Sequence, residues 1–329
     1  MDKRDVIVIG ASMGGVKAIS QLLSSLPAQF PAGICVVQHI SKSVPTDLAR
    51  LLSGYSKLKV KTATDDEVFK QGWVYVAPAD QHLLIKGDGL RVVRGPRENR
   101  VRPAIDPLFR SAAVRYGPRV IGVLLTGFQN DGSSGLVAIK RCGGLAVIQS
   151  PEDAAYGEMP SHALKAVDSD YCLPLSEIAE CLKTLVSQDV AENSTIPKEV
   201  KLEAEIAERV MTALAKEERL AHQAPIACPE CGAALWPVQN AKEKGYRCLA
   251  GHSYTTQSLL LDHSEVVEKA LWLALRTLEE RGTMLDSMAS DERARGHMKL
   301  SHSYKDRANE AKKYARSVRF VLLSEREAA

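Results

Sequence analysis

A serine lies at the centre of Gly10-Ala11-Ser12-Met13-Gly14, directly after the apolar run Val6-Ile7-Val8-Ile9 and before a helical pattern. G-x-S-x-G between a strand and a helix suits a nucleophile. A sharp turn leaves no room for Cβ atoms, lifts the hydroxyl clear of the sheet and aims backbone N–H groups at a reacting carbonyl. The N–H of Met13 is the expected oxyanion donor. The same glycines could cradle a dinucleotide pyrophosphate at a helix N-terminus. Against that, the spacing is G-x-x-x-G-G, and the second strand ends in Gln38-His39, where a dinucleotide site places an acid. His39, at the carboxyl edge of that strand, is a candidate general base for Ser12. Asp131, in Leu124-Leu125-Thr126-Gly127-Phe128-Gln129-Asn130-Asp131-Gly132, follows another apolar strand and is the candidate carboxylate for holding the imidazole. Standing alone, it would read as an Asp-Gly turn capping the next helix.

A second constellation lies far along the chain. Cys228-Pro229-Glu230-Cys231-Gly232 is a knuckle turn, and Cys248-Leu249-Ala250-Gly251-His252 gives a second ligand pair after a ribbon-like gap. Cys228, Cys231, Cys248 and His252 complete a Cys₃His set, the composition of a closed structural zinc site. Zinc is therefore expected as a structural ion, with no cofactor for catalysis. Cys35, Cys142, Cys172 and Cys181 are scattered, which does not suit a disulfide scaffold and points to the cytoplasm.

These residues need elements to position them. Ile34-Cys35-Val36-Val37, Val74-Tyr75-Val76, 120–125 and Leu145-Ala146-Val147-Ile148 read as buried strands. Helical patterns fall between them at 16–26, 45–52, 105–116 and 133–142. Leu83-Leu84-Ile85 and Leu90-Arg91-Val92-Val93 form a hairpin across Gly87-Asp88-Gly89. The alternation predicts an α/β fold, doubly wound on a largely parallel sheet, over 1–186. Residues 187–224 read as a polar linker and an amphipathic helix (Leu202, Ile206, Val210, Leu214), 225–256 as a zinc ribbon and 257–329 as an α-helical hairpin. Heptad-like stripes through Val267, Leu271, Ala274, Leu278 and through Tyr304, Ala308, Ala311, Ala315 carry that last reading, with Asp262 and Glu265 as its first helix's capping pair.

Composition is that of a globular protein: 45% hydrophobic and 25% charged residues in 329, with a net charge of +3. That charge argues for neither nucleic acid nor an anionic membrane as partner. No apolar run approaches the roughly 20 residues that span a bilayer, and the first residues read as mature structure rather than a signal peptide.

Taken in order, 8–15 (V-I-G-A-S-M-G-G), 36–39 (V-V-Q-H), 75–82 (Y-V-A-P-A-D-Q-H), 102–113 (R-P-A-I-D-P-L-F-R-S-A-A), 125–132 (L-T-G-F-Q-N-D-G) and 156–163 (Y-G-E-M-P-S-H-A) resemble the catalytic domains of the chemotaxis protein-glutamate methylesterases. The resemblance covers about 4–186. It implies hydrolysis of glutamate methyl esters on chemoreceptor signalling helices, with deamidation of receptor glutamines, by Ser12, His39 and Asp131. The family pattern has Met-Gly where this chain has Phe128-Gln129; that methionine lies near the reacting serine, so altered substrate geometry or rate is implied. No phosphoacceptor receiver domain is read before Ser12, so the usual phosphorylation control is expected to be missing or supplied otherwise. The C-P-x-C-G, R-C-x-x-G-H and 270–280 segments resemble tails of some methylesterase-like proteins. His82 and His162 are expected to be structural, and Asp106 to cap or pack near a helix start. The function expected is a serine esterase acting on a methylated chemoreceptor-like protein, with self-association or a signalling partner at the C-terminal helices. A non-catalytic signalling scaffold is the alternative, and a nucleotide-binding α/β domain a more distant one.

Overall fold

The structure is a computed structural model that describes residues 3–40, 47–190, 196–201, 204, 224–240 and 243–324. It divides into two compact units, Met1–Leu259 and Leu260–Ala329.

The first unit is built on seven parallel strands: β1 (Val6–Ala11), β2 (Gly33–Gln38), β3 (Lys59–Thr62), β5 (Trp73–Val76), β8 (Val120–Leu124), β9 (Leu145–Gln149) and β10 (Tyr171–Leu173). Their order across the sheet is β10-β9-β8-β1-β2-β5-β3. Helices cover both faces, which is why the central strands are apolar at nearly every position. On one face Val6 and Val8 pack with Ile105, Phe109, Leu136 and Met159, from α3 (Ile105–Tyr116), α4 (Ser133–Arg141) and α5 (Glu158–Ala166). On the other, Ile7 and Ile9 meet Ile19, Leu48 and Ile178, from α1 (Gly15–Ser24), α2 (Leu48–Ser53) and α6 (Leu175–Leu185).

From β1 the chain passes to β2, then to the edge strand β3 and back to β5 between them, before it lays down β8, β9 and β10 on β1's other side. The carboxyl end of β1 therefore lies at the switch point, where open α/β sheets form a crevice. Ser12 follows β1, His39 follows β2, and Asp131 lies in the loop after β8.

The hairpin over 83–93 is present as β6 (His82–Lys86) and β7 (Gly89–Val93), but it belongs to a separate three-stranded sheet with β4 (Glu67–Val68). Sequence patterning passes over β3 because Lys59-Val60-Lys61-Thr62 is an edge strand with alternating charge. Of the amphipathic segment 198–222, only 198–201 and 204 are among the described residues, and Val200 packs into the core. The unit ends in an antiparallel meander, β11 (Ala224–Ala227), β12 (Ala234–Asn240), β13 (Glu243–Cys248) and β14 (Ser253–Thr255). Cys228, Leu235, Cys248, Tyr254 and Leu259 form its small core.

The meander runs directly into α7 (Thr256–Ala294), and α8 (Met298–Ser324) follows after Gly296, whose φ of 82° suits a chain reversal. Within the second unit, Leu275, Ala315 and Leu322 are buried together, flanked by Leu271, Leu278 and Val318. Ser301 donates to the carbonyl of Ala289, and Lys305 pairs with Asp286, so the two helices run antiparallel. The capping pair differs from the sequence expectation. Thr255 and Ser258 cap α7 reciprocally: the Ser258 N–H donates to Thr255 Oγ1 at 3.1 Å, and the Thr255 N–H to Ser258 Oγ at 2.9 Å. Asp262 lies inside the helix, because β14 leads into α7 without a loop and moves the start upstream. Among the described residues no helix is long and apolar enough to cross a membrane.

Candidate active site

The turn that carries Ser12 is fixed by its neighbours on both sides. The Ser12 N–H donates to the carbonyl of Thr126 at 3.0 Å, and the Ser12 carbonyl accepts from the Gly15 N–H at 2.9 Å. Gln38, buried at the end of β2, donates from Nε2 to that same carbonyl at 2.7 Å and to the carbonyl of His39 at 3.0 Å. One side-chain amide thus ties the backbone of Ser12 to that of His39. Gly14 enters the helix at φ 77°, and a Cβ on Gly15 would overlap Gln38 Oε1. Gly127 is equally constrained: a Cβ there would lie 2.7 Å from both Ser12 Cβ and Met159 Cε. The N–H of Met13 has no hydrogen-bond partner among the described residues.

His39 spans the gap between serine and acid. Its Nδ1 lies 3.1 Å from Ser12 Oγ and its Nε2 lies 2.8 Å from Asp131 Oδ2. This arrangement calls for the tautomer with the proton on Nε2, donated to the carboxylate, leaving the Nδ1 lone pair to accept the serine hydroxyl. The His39 side chain is 13% exposed and that of Asp131 only 1%, so the serine end faces the crevice and the acid end is dry.

Asp131 does not cap the helix that follows it. Its carboxylate sits at the start of α3, taking the Ile105 N–H at 2.6 Å and the Asp106 N–H at 3.2 Å. Asp106, within the first turn of α3, serves the start of α4 instead, accepting from the Gly132 N–H at 3.0 Å and the Gly135 N–H at 2.6 Å. Asp131 thus accepts the free N–H groups at the start of α3, and Asp106 those at the start of α4. Asn99 bridges them, with Nδ2 2.8 Å from Asp106 Oδ2 and 3.1 Å from Asp131 Oδ1. Burial alone would push Asp131 upward. The His39 hydrogen bond and charge, the Ile105 N–H and Asn99 outweigh it and hold the carboxyl below its ordinary value. Asp106 is pushed up to about 8 by burial and by the Asp131 charge, against Arg110 and the Gly135 N–H. The pair therefore carries one negative charge near neutrality, on the member that touches His39.

His82 is buried, with Nε2 2.7 Å from the carbonyl of Pro96 and Nδ1 accepting from the Ala104 N–H at 3.2 Å. It braces the loop before α3. His162 sits on α5 with Nε2 3.8 Å from Glu158, i,i+4 on the same helix. Sequence reasoning missed Gln38 and Asn99. Only their positions, one residue before the candidate base and near the R-P-A-I-D segment, could have drawn attention to them.

Two cavities meet at His39. One of about 910 Å³ is lined by Ser12, Met13, Lys17, Gln38, Leu51 and Tyr55 among others. The other, of about 420 Å³, is lined by Asp80, Arg97, Arg100 and Arg102 with His39. Phe128 is 44% exposed, its ring tilted at 58° to that of Tyr156 with centroids 4.7 Å apart. Gln129 has a φ of 66°, a conformation that glycine adopts without strain.

In the meander, the ligand atoms of Cys228, Cys231, Cys248 and His252 all lie within 4.8 Å of one another, a group that could hold a metal ion. The Cys231 and Cys248 sulfurs are 3.6 Å apart, and His252 Nδ1 is 3.6 Å from Cys228 Sγ and 3.3 Å from Cys248 Sγ. Tetrahedral zinc with Zn–S bonds near 2.3 Å sets edges of roughly 3.8 Å, so the donor set has about the right size. Glu230 lies 3.3 Å from His252 Nε2, a carboxylate placed to orient a ligating imidazole.

A parallel α/β sheet with serine, imidazole and carboxylate gathered at its switch point defines an α/β protein with the constellation of an acyl-transfer site. The CheB methylesterase family profile matches residues 7–182. A provisionally named protein-glutamate methylesterase/protein-glutamine glutaminase of Leptospira interrogans is 44% identical over 177 residues, 54% of this chain and 92% of the relative. A protein-glutamate methylesterase/protein-glutamine glutaminase of Methanosarcina mazei is 36% identical over 191 residues, 56% of this chain and 52% of its own length. The crystal structure of the Thermotoga maritima CheB methylesterase catalytic domain is similar with a TM-score of 0.54 and 36% identity, over 56% of this chain and 100% of that one. The chain belongs to the CheB methylesterase family, whose members are carboxylic ester hydrolases.

Proposed function

We propose that the chain hydrolyses glutamate methyl esters on chemoreceptor-type signalling proteins and deamidates glutamine at the same site. Ser12 is the nucleophile, His39 the general base and Asp131 the orienting acid. The observation that carries this reading is the relay from Ser12 Oγ to His39 Nδ1 at 3.1 Å and from Nε2 to Asp131 at 2.8 Å. As Ser12 attacks the ester carbonyl, His39 takes the hydroxyl proton. Asp131 stabilises the imidazolium, and the N–H of Met13 receives the developing oxyanion. His39 then protonates the departing methanol (ammonia from a glutamine), leaving a glutamyl ester on Ser12. Water attacks that ester with His39 again as base, which restores the serine and releases the glutamate. The cavity lined by Arg97 and Arg100 supports a substrate segment rich in carboxylates.

The chain is assigned as a catalytic domain over 1–186, a linker and helix over 187–224, a zinc ribbon over 225–256 and a helical hairpin over 257–329. Zinc at Cys228, Cys231, Cys248 and His252 has a structural role in this reading, supported by the closed donor set. Purified protein should release methanol from methylated receptor, and Ser12→Ala should not. A folded wild-type protein that releases none would favour the signalling scaffold, with Phe128 beside the site as the first suspect.

A further inference from the structure

The meander that carries the cysteine and histidine ligands is docked against the acid end of the triad, and the docking residues are the ligands' own neighbours. Ser253, next to His252, accepts the Asn99 N–H on its carbonyl at 2.9 Å and forms a bridge with Glu98. Arg247, next to Cys248, is buried with its guanidinium 3.6 Å from Glu98, whose other oxygen lies 2.5 Å from Arg110 on α3. Thr255 Oγ1 accepts from Asn130 Nδ2 at 2.5 Å, one residue before Asp131.

Residues 98–101 form a tight turn, closed by the Val101 N–H on the Glu98 carbonyl at 3.1 Å. Asn99 and Arg100 have φ of 49° and 70°, a left-handed pair that asparagine tolerates better than most residues and arginine does not. Asn99 supplies the side-chain donor that Asp131 Oδ1 shares with Asp106. From a ligand residue to the catalytic acid the path is short: His252, Ser253 carbonyl, Asn99 backbone, Asn99 amide, Asp131.

Resting on the triad reading above, we propose that Asn99 is a positioning residue for Asp131, and that the Cys228, Cys231, Cys248 and His252 site holds Asn99 in place through Ser253. The module then acts as a clamp on the catalytic acid, so occupancy of its metal site sets how well His39 is oriented.

The test uses the full-length chain. Asn99→Gly keeps the left-handed backbone without strain and deletes only the amide. It should lower kcat about 10- to 100-fold with KM unchanged, the range for a lost hydrogen bond to a charged group. It should also shift or broaden the low-field proton resonance of the His39–Asp131 hydrogen bond, and slow Ser12 labelling by a fluorophosphonate. Chelation of the wild-type protein should reproduce those changes, and added zinc should reverse them. In Asn99→Gly, chelation should cost little more, since the proposed clamp reaches Asp131 through the Asn99 amide. An Asn99→Gly protein with wild-type kcat and resonance would overturn the proposal. So would chelation and Asn99→Gly effects that multiply. Resonance and labelling report Asp131–His39–Ser12 geometry without receptor, so a wrong substrate assignment would leave this test intact.

Discussion

A serine hydroxyl is a poor nucleophile near neutral pH, so Ser12 and His39 are expected to act as one unit. Ser12→Ala and His39→Ala should each lower methanol release by several orders of magnitude, with the double variant little worse than either. Asp131→Asn should fold but lose activity, because an amide in place of the carboxylate selects the wrong imidazole tautomer. Multiplying losses in the double variant would count against the relay. Asp106 offers a test by pH. Its folded value, about 8, lies above the ordinary 3.8, so between these values the folded state keeps a proton that the unfolded state has released. Stability should therefore fall as pH rises through that window and level off above about 8. Urea melts from pH 5 to 9 should show this slope in the wild type and a flatter one in Asp106→Asn; equal slopes would refute it. Gln129, at φ 66°, occupies a conformation that costs a side-chain-bearing residue about 1 kcal/mol. Gln129→Gly should raise the urea midpoint by an equivalent amount. Ser12 and Asp131 were legible in the sequence because each stands beside a glycine in the turn after an apolar strand, and His39 because it directly follows another such strand. Gln38 and Asn99 were not, since nothing local marks an amide whose partners lie 26 and 32 residues away.

At the scale of elements, apolar runs gave away the central strands because both sheet faces are buried. Edge strands such as β3, with alternating lysines, gave no such signal. The pairing of α3 with α4 was also hidden: Asp131 and Asp106 each look like the cap of the nearest helix, and only the tertiary fold exchanges them. The helix α7 starts at Thr256 rather than near Asp262 for a similar reason, since β14 feeds it directly and Thr255 meets Asn130. The cysteine turns were legible from their spacing and glycines. Gly232 and Gly251 have φ of 71° and 91°, as turns that converge two ligands on one ion require. Without a metal, three thiols and an imidazole make a poor core for so small a sheet. Elemental analysis of purified protein should find about one zinc per chain, lost in Cys231→Ser, and chelation should lower the melting temperature. Zinc-free protein with a melting curve indifferent to chelator would remove the metal from the picture.

At the scale of the whole molecule, the polar linker and amphipathic helix expected over 187–224 make the catalytic fold look separable from everything after it. The contacts within Met1–Leu259 argue otherwise. Glu98 and Arg110 are each under 5% exposed, with the Arg247 guanidinium packed beside them. Ending the chain near residue 187 would expose that pair and strip Asn99 and Asn130 of the partners supplied by Ser253 and Thr255. Of the two cores that flank the central sheet, only Val200 and the half-buried Ile196 lie beyond residue 187, so the shortened protein should stay folded. It should nevertheless lose activity about 10-fold or more, the scale of a mispositioned acid rather than a missing one. Ending the chain at Leu259 should behave differently. That version keeps the relay, both asparagine contacts and all four candidate ligands, and Leu259 itself completes the meander's core. Its methanol release should stay within about twofold of the full chain, the scatter expected when no site residue is touched. Comparing kcat for the two truncations against full-length protein, with circular dichroism to confirm folding, separates the possibilities. Equal, full activity in both would mean that the meander is dispensable for the site. Loss in both would place a necessary part of the enzyme in the helices beyond Leu259.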